Sequence, residues 1–452
     1  MPKLGLISLG CAKNLVDSEH MLSLMRDAGW EITEDMSEAD VGVVNTCGFI
    51  EAAKTEAIET ILETAQYKQT GRMKGLVVTG CLVQRYADEM RRELPEIDVF
   101  CGTGSYDNIV DAATAALRGE QAAYMADMTA AALDGGRSRL TPSYTAYFKI
   151  AEGCSNTCAY CIIPKLRGRY RSREMASLLE EARALSNAGV KELIVIAQDI
   201  TKYGMDLPEH KRLLPELLRE LCKMDFTWIR LHYLYPDQIT DELIDVIAEE
   251  PKIVKYLDIP LQHVSRRILR AMHRPGDGAE FTALIEDMRR RIPGLVLRTS
   301  LIVGLPGETH DEFAELCEFL QNAAIERVGV FEYSPEEGTE AAEMPDQIDA
   351  ETKQNRRLIV EELQSGVLDD YNTSRHGEVM QVLVEGFDDE QQLWYGRTYA
   401  DKEDGSMGFD YTCSGFEVTF LGTSLTARMK SSKTTVVSGT DYSWVNVYLD
   451  GA

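Results

Sequence analysis

Over the first 120 residues short apolar runs alternate with stretches of helical period. Residues 3–9, 41–44 and 75–79 read as strands. Each leads into an amphipathic helix, through Asp17-Ser-Glu-His-Met-Leu-Ser-Leu-Met, Glu51-Ala-Ala-Lys-Thr-Glu-Ala-Ile and residues 84–94. Repeats of this kind predict an open parallel sheet over residues 1–120, with ligands at the carboxyl ends of its strands. Residues 121–143 are small, polar and glycine-containing and read as a linker.

A second series begins at Tyr144, with strands near 147–150, 193–197, 228–234, 256–259, 295–303 and 328–333, each before a helical segment. This pattern predicts a partial (β/α)6 barrel over 144–374, with its chemistry at the strands' carboxyl ends. A long helix from Ala350 closes it. From Glu378 the pattern changes to short alternating strands: Val379-Met-Gln-Val-Leu-Val, Leu393-Trp-Tyr, Phe416-Glu-Val-Thr-Phe and Tyr442-Ser-Trp-Val-Asn-Val-Tyr-Leu. These predict a small β-barrel over 375–452. The expected fold class is α/β, with that barrel appended.

The composition, 44% hydrophobic and 27% charged in 452 residues, is that of globular material. No apolar run approaches the roughly 20 residues of a membrane helix. The opening Met-Pro-Lys-Leu-Gly-Leu-Ile-Ser-Leu-Gly lacks the longer apolar core of a signal peptide. Ten cysteines are too few for a disulfide scaffold. A cytoplasmic protein with metal-bound thiolates and no membrane partner is expected. Against 47 Lys and Arg stand 74 Asp and Glu, a net charge of −27. Such a surface repels nucleic acid and steers a basic partner toward it, or serves solubility alone. One exception is Lys165-Leu-Arg167-Gly-Arg169-Tyr-Arg171-Ser-Arg173. It is either an anion site or a solvated basic loop.

That basic run follows Cys154, Cys158 and Cys161, spaced C-x3-C-x2-C with Tyr160 before the last. A structural zinc would want a fourth ligand nearby, and the next histidine is His210. A four-iron cluster held by three cysteines keeps one iron open for a substrate or cofactor. Three further cysteines end strands in one pattern: Ile7-Ser-Leu-Gly-Cys11, Val43-Val-Asn-Thr-Cys47 and Val77-Val-Thr-Gly-Cys81. One rim could bring these thiolates together, or they could be scattered core cysteines. Cys101 is a possible decoy, and Cys222, Cys317 and Cys413 read as structural. At the barrel strand ends stand Gln198 and Asp199, His232 and Tyr235, Gln262 and His263, the turn Gly304-Leu-Pro306-Gly307-Glu308, and Tyr333-Ser-Pro335. His263 alone reads more readily as a hydrogen-bonded structural residue.

The C-x3-C-x2-C loop resembles that of the radical S-adenosylmethionine enzymes. With the strand-end cysteines and the small barrel, nearly the whole chain resembles the methylthiotransferases. Ser8-Leu-Gly-Cys-Ala-Lys-Asn-Leu-Val-Asp-Ser-Glu19, Asn45-Thr-Cys-Gly-Phe-Ile-Glu and Arg230-Leu-His-Tyr-Leu-Tyr-Pro are similar to the branch that acts on a ribosomal protein. The resemblance implies two four-iron clusters, one on Cys154, Cys158 and Cys161 and a second, sulfur-delivering one on Cys11, Cys47 and Cys81. It implies S-adenosylmethionine over the strand ends, near Gln198, Asp199, Gly304, Pro306 and Gly307. One electron splits that cofactor to methionine and a deoxyadenosyl radical, which removes hydrogen from an unactivated C–H bond. The substrate implied is the β-carbon of an aspartate in ribosomal protein S-twelve, with an electron donor and a sulfur donor as further partners. The basic run could receive the target carboxylate. Two alternatives remain: a transfer-RNA methylthiotransferase, disfavoured by the charge, and a non-catalytic metal-binding module that grips a ribosomal partner. The C-terminal barrel resembles the family's TRAM domain loosely. From Arg375 onward it carries 6 basic and 12 acidic residues, better suited to docking a basic protein than RNA.

Overall fold

The computed structural model describes residues 1–130, 134–376, 378, 380–388, 393–400 and 416–417. Six parallel strands make the first sheet: β1 (Lys3–Ser8), β2 (Glu31–Thr33), β3 (Val41–Thr46), β4 (Gly75–Gly80), β5 (Val99–Cys101) and β6 (Ala122–Tyr124). β3 and β4 are buried along their whole length. Apolar runs without alternation form such strands because helices cover both faces of the sheet. Met21, Leu22 and Met25 of the helix Ala12–Asp27 pack with Val41, Val43 and Val77 on one face. Ala57 and Ile61 of the helix Glu51–Ala65 pack with Val44, Leu76 and Val78 on the other.

The strand order is β2-β1-β3-β4-β5-β6. It reverses between β1 and β3, and that switch point leaves a crevice at the strands' carboxyl ends. β6 corrects the reading of residues 121–143 as linker throughout. Its short Ala-Ala-Tyr run carries too little apolar pattern to register locally, yet it pairs with β5 and completes the sheet.

The second sheet contains β7 (Thr145–Lys149), then, after a two-residue ribbon of β8 (Ala151–Glu152) and β9 (Arg171–Ser172), β10 (Glu192–Ile196), β11 (Trp228–Leu231), β12 (Ile253–Asp258), β13 (Val296–Val303) and β14 (Arg327–Glu332). The order β14-β13-β12-β11-β10-β7 follows the sequence and every pairing is parallel. Alternation along β10 divides its two faces. Leu193 and Val195 join the main core beneath the outer helices, whereas Ile194 and Ile196 meet Val16 of the helix Ala12–Asp27. The first sheet's leading helix is therefore packed against the inner face of the second sheet.

β15 (Met380–Asp388) and β16 (Leu393–Thr398) form an antiparallel hairpin, and β17 (Phe416–Glu417) pairs parallel with β15. The expected strand at 442–449, Cys413 and the closure of a small barrel lie outside the described residues. Among the described residues no helix is long and apolar enough to cross a membrane.

Candidate functional site

Cys11 caps the helix after β1, Cys47 follows β3, and Cys81 opens the helix Cys81–Glu93 after β4. Two glycines let these loops touch. Gly10 has φ +87, and a Cβ there would stand 2.7 Å from the Cys47 Cβ. A Cβ on Gly48 would stand 2.7 Å from the Cα of Leu82, beside Cys81. Glycine permits such close backbone approach. Asn14 ties the rim together, its Nδ2 donating to the carbonyls of Leu9 (3.0 Å) and Thr46 (2.9 Å). Its Oδ1 lies 3.9 Å from the Cys81 sulfur. Burial pushes the Cys81 thiol up to about 12, and the nearby sulfurs of Cys11 and Cys47 add to the rise.

The second cysteine set sits on one loop stapled at its base. The β8–β9 ribbon closes it, and the Cys154 amide donates to the Gly168 carbonyl at 3.1 Å. Gly153 has φ +76, and a Cβ there would overlap the Arg169 carbonyl oxygen. The chain after β12 pins the loop's far side: the Ala159 amide donates to the Met272 carbonyl at 3.1 Å, and His273 Nδ1 lies 2.9 Å from the Thr157 carbonyl oxygen. Arg274, stacked over the Tyr235 ring at 3.9 Å, faces Cys158. Burial raises the Cys154 thiol and pushes Cys161 up to about 12.

The stapled loop meets the strand-end set at Cys81. Cys81 packs with Ile162 and Leu166 of the stapled loop in one buried cluster, beside Phe49. Arg167, from the same loop, donates to Asn14 Oδ1 and to Asp17 Oδ2. Asp17 and Glu152 both also accept from Lys149, at 2.5 and 2.8 Å. A second tie joins the Cys47 loop to the chain after β14: Arg85 donates to the Gly48 carbonyl and to Glu336, and Glu336 accepts from the Glu51 amide.

Four of the five cations of the basic run are engaged within the protein and Arg169 is exposed, which corrects the expectation of an anion site built from the whole run. Arg167 and Arg173 are buried among carboxylates, Arg173 between Asp134 and Glu181. Lys165 and Arg171 donate to the carbonyls of Gly338 and Thr129. A small cleft is lined by this charged network, Asp17, Lys149, Glu152, Arg167 and Arg173, and by Thr103 and Tyr106 from the first sheet's side, so it lies where the two sheets meet.

Gln198 and Asp199 stand against the stapled loop. Gln198 Nε2 donates to Glu152 at 3.0 Å, and Asp199 accepts from Asn156 at 3.4 Å and from the Thr201 amide at 3.1 Å. Gly304, Pro306 and Gly307 follow β13, with β11 and β12 between them and β10. The amides of Gly304 and Leu305 donate to Glu308, which Arg356 holds at 2.9 Å, and Gly304 abuts Lys353. His263 is buried, with Nδ1 accepting from the Ser265 amide, and burial lowers it to about 4. Cys101 donates to the Ser105 carbonyl inside the first core. Sequence patterns missed Asn14, Asp17, Lys149, Glu152 and Arg274. Asn14, Asp17, Lys149 and Glu152 stand near the cysteine motifs or at a strand end, whereas Arg274, just after the helix Arg266–Ala271, carries no such signal.

Among the described residues no three His, Cys, Asp or Glu side chains are spaced to hold a single metal ion. A four-iron cube places each ligating sulfur on a different iron and so takes a wider ring of thiolates. Three cysteines on three touching loops, and three on one stapled loop, suit that demand. For S-adenosylmethionine, Gln198 Oε1 is buried beside the stapled loop without a hydrogen-bond partner among the described residues.

Residues 3–102 match the Uncharacterized protein family UPF0004, and residues 148–320 match the Radical SAM superfamily. The ribosomal protein uS12 methylthiotransferase RimO of Lachnoclostridium phytofermentans is 50% identical over 401 residues, 88% of this chain and 91% of the relative. Its counterpart in Symbiobacterium thermophilum is 48% identical over 88% of this chain and 82% of the relative. That of Desulforamulus reducens is 48% identical over 90% and 93%. Among solved structures, the radical S-adenosylmethionine methyltransferase TsrM of Kitasatospora setae shares the fold at 15% identity, with a TM-score of 0.56 over 73% of each chain. Identity of this extent over so much of both sequences makes the chain a member of the ribosomal protein uS12 methylthiotransferase family of radical S-adenosylmethionine enzymes.

Proposed function

We propose that this chain transfers a methylthio group to the β-carbon of an aspartate in ribosomal protein uS12. Cys154, Cys158 and Cys161 hold one four-iron cluster beside S-adenosylmethionine, and Cys11, Cys47 and Cys81 hold a second. The observation that carries this reading is the approach of the two cysteine sets across Ile162, Leu166 and Arg167. When bound, the cluster on the stapled loop and S-adenosylmethionine supply the one-electron chemistry that breaks an unactivated C–H bond, which no side chain can do at neutral pH.

The protein's own residues position and insulate. Gly153, the β8–β9 ribbon and Arg274 fix the stapled loop. Gln198 and Asp199 line the cofactor's place on one side, and Gly304, Pro306 and Gly307 on the other. The buried network of Asp17, Lys149, Glu152 and Arg167 keeps the two cysteine sets in register. A net charge of −27 suits a basic ribosomal protein better than transfer RNA. An electron donor and a sulfur donor complete the partners, and the work takes place in the cytoplasm. The sheet over residues 1–124, the partial barrel over 144–374 and the C-terminal segment act as three domains, the last docking protein rather than RNA.

Mass spectrometry of uS12 from cells lacking the gene tests the reading. A methylthio group on one aspartate should disappear while transfer-RNA methylthioadenosine persists. Unmodified transfer RNA with normal uS12 would replace this reading with the transfer-RNA one.

A further inference from the structure

Lys13, two residues beyond Cys11, is only 7% exposed. Among the described residues its ammonium has no hydrogen bond or ion pair, and it rests over the Tyr233 ring at 3.3 Å from the centroid. The neighbouring cations are all compensated: Arg167 and Lys149 by Asp17 and Glu152, Arg298 by Asp258, and Arg230 by Glu192. The ring face engages the ammonium without neutralising it, so its charge remains available to a ligand.

Its surroundings lie at the proposed chemistry. Lys13 belongs to the helix Ala12–Asp27, which packs on the inner face of the second sheet through Ala12, Val16, Ile194 and Ile196. Tyr233 follows β11 with φ +67, a conformation unusual for an aromatic residue. It is held there by the Ile200 amide, which donates to its carbonyl at 3.2 Å, on the turn that carries Gln198 and Asp199. Two residues on, Tyr235 lies beside Cys154 and Cys158. His232 packs edge-on against the Tyr233 ring, and Arg230 and Arg298 near it each have a carboxylate of their own, so among the described residues Lys13 is the cation here left without one.

We infer that Lys13 binds the carboxylate of the substrate aspartate, its ammonium leaving the Tyr233 ring for a charge-assisted hydrogen bond as the substrate enters. The inference rests on the uS12 reading above and adds a specificity residue to it. It also gives Lys13 the role expected of the basic run at 165–173.

The test measures binding of purified uS12, carrying Asp or Asn at the modified position, to the reconstituted enzyme. The wild type should bind the Asp form roughly ten- to a hundredfold more tightly than the Asn form. Lys13→Met should bind both forms as the wild type binds Asn, with unchanged iron content and melting temperature. Lys13→Arg should recover part of the preference. A Met variant that keeps the preference overturns the inference. So does one that loses iron or S-adenosylmethionine binding, since Lys13 would then serve a cluster or the cofactor. A wild type that binds neither form and modifies no aspartate overturns the parent reading instead, before any variant is made.

Discussion

Arg167 and Asp17 are 150 residues apart in the chain and 2.5 Å apart in the fold. Arg167 stands on the stapled loop of Cys154, Cys158 and Cys161; Asp17 stands on the helix that begins beside Cys11. Lys149 and Glu152 close a buried set of two cations and two carboxylates. Burying charges is offset only when hydrogen bonds satisfy them. Here Glu152 also accepts from the Gly153 amide and from Gln198, and Arg167 also donates to Asn14. One network therefore touches the rim of the strand-end cysteines, the base of the stapled loop and a proposed cofactor contact.

Replacing Arg167 by Met leaves two buried carboxylates facing Lys149 alone. Breaking a buried pair costs about 3–5 kcal/mol, so the denaturation midpoint should fall accordingly. Iron at the strand-end set should fall too, because Asn14 loses the donor that holds its Oδ1. Unchanged stability and iron content would show that the network does not join the two sets.

The iron should divide between the two cysteine sets. A chain with two four-iron clusters holds roughly eight irons after anaerobic reconstitution. Replacing Cys154, Cys158 and Cys161 by Ala should halve that and abolish deoxyadenosine formation. Replacing Cys11, Cys47 and Cys81 should also halve it, with deoxyadenosine still detectable. Iron content that ignores either triple substitution would remove that set from cluster binding.

What the sequence could show is local. The strands β3, β4 and β10 announce themselves because both faces are covered and their apolar runs are unbroken. The six cysteines announce themselves through spacing and strand-end position. What it could not show is pairing at long range. The arginines at 167 and 173 look like a free basic patch because their carboxylates, at Asp17, Asp134, Glu152 and Glu181, are distant in sequence or carry no pattern of their own. Lys13 looks like one more charge in a helix, and only the packing of that helix against Tyr233 reveals it as buried. β6 was hidden because three small residues form a strand only when β5 is there to pair with.

His263 predicts an acid-side loss of stability. Its folded value lies at about 4, below the ordinary 6.5, because burial disfavours the charged ring. The unfolded chain takes up a proton near 6.5 that the folded chain refuses until about 4. Stability is therefore full above 6.5 and falls as the pH drops through that window, by about 3 kcal/mol. Denaturant melts of the metal-free chain at pH 7 and pH ~4.5 should show a smaller drop for His263→Asn than for the wild type. Equal drops would mean that His263 is not held neutral.

Glu192 should govern the C-terminal hairpin without touching the chemistry. It is fully buried at the first residue of β10, the end opposite the cysteines, and pairs with Arg230 and with Arg397 of β16. Arg397 keeps Glu385 as a second partner on β15, at 2.8 Å, whereas Arg230 is left with the Tyr399 carbonyl and the Tyr256 ring. Glu192→Gln thus strands one buried guanidinium more than the other. The cost of about 3–5 kcal/mol for breaking a buried pair should appear mostly as release of the hairpin from the sheet. Limited proteolysis within residues 380–400 should accelerate, while iron content and deoxyadenosine formation stay at the wild-type level. Loss of iron in this variant would mean that the hairpin's docking is transmitted through β10 and β11 to the cysteine end of the sheet.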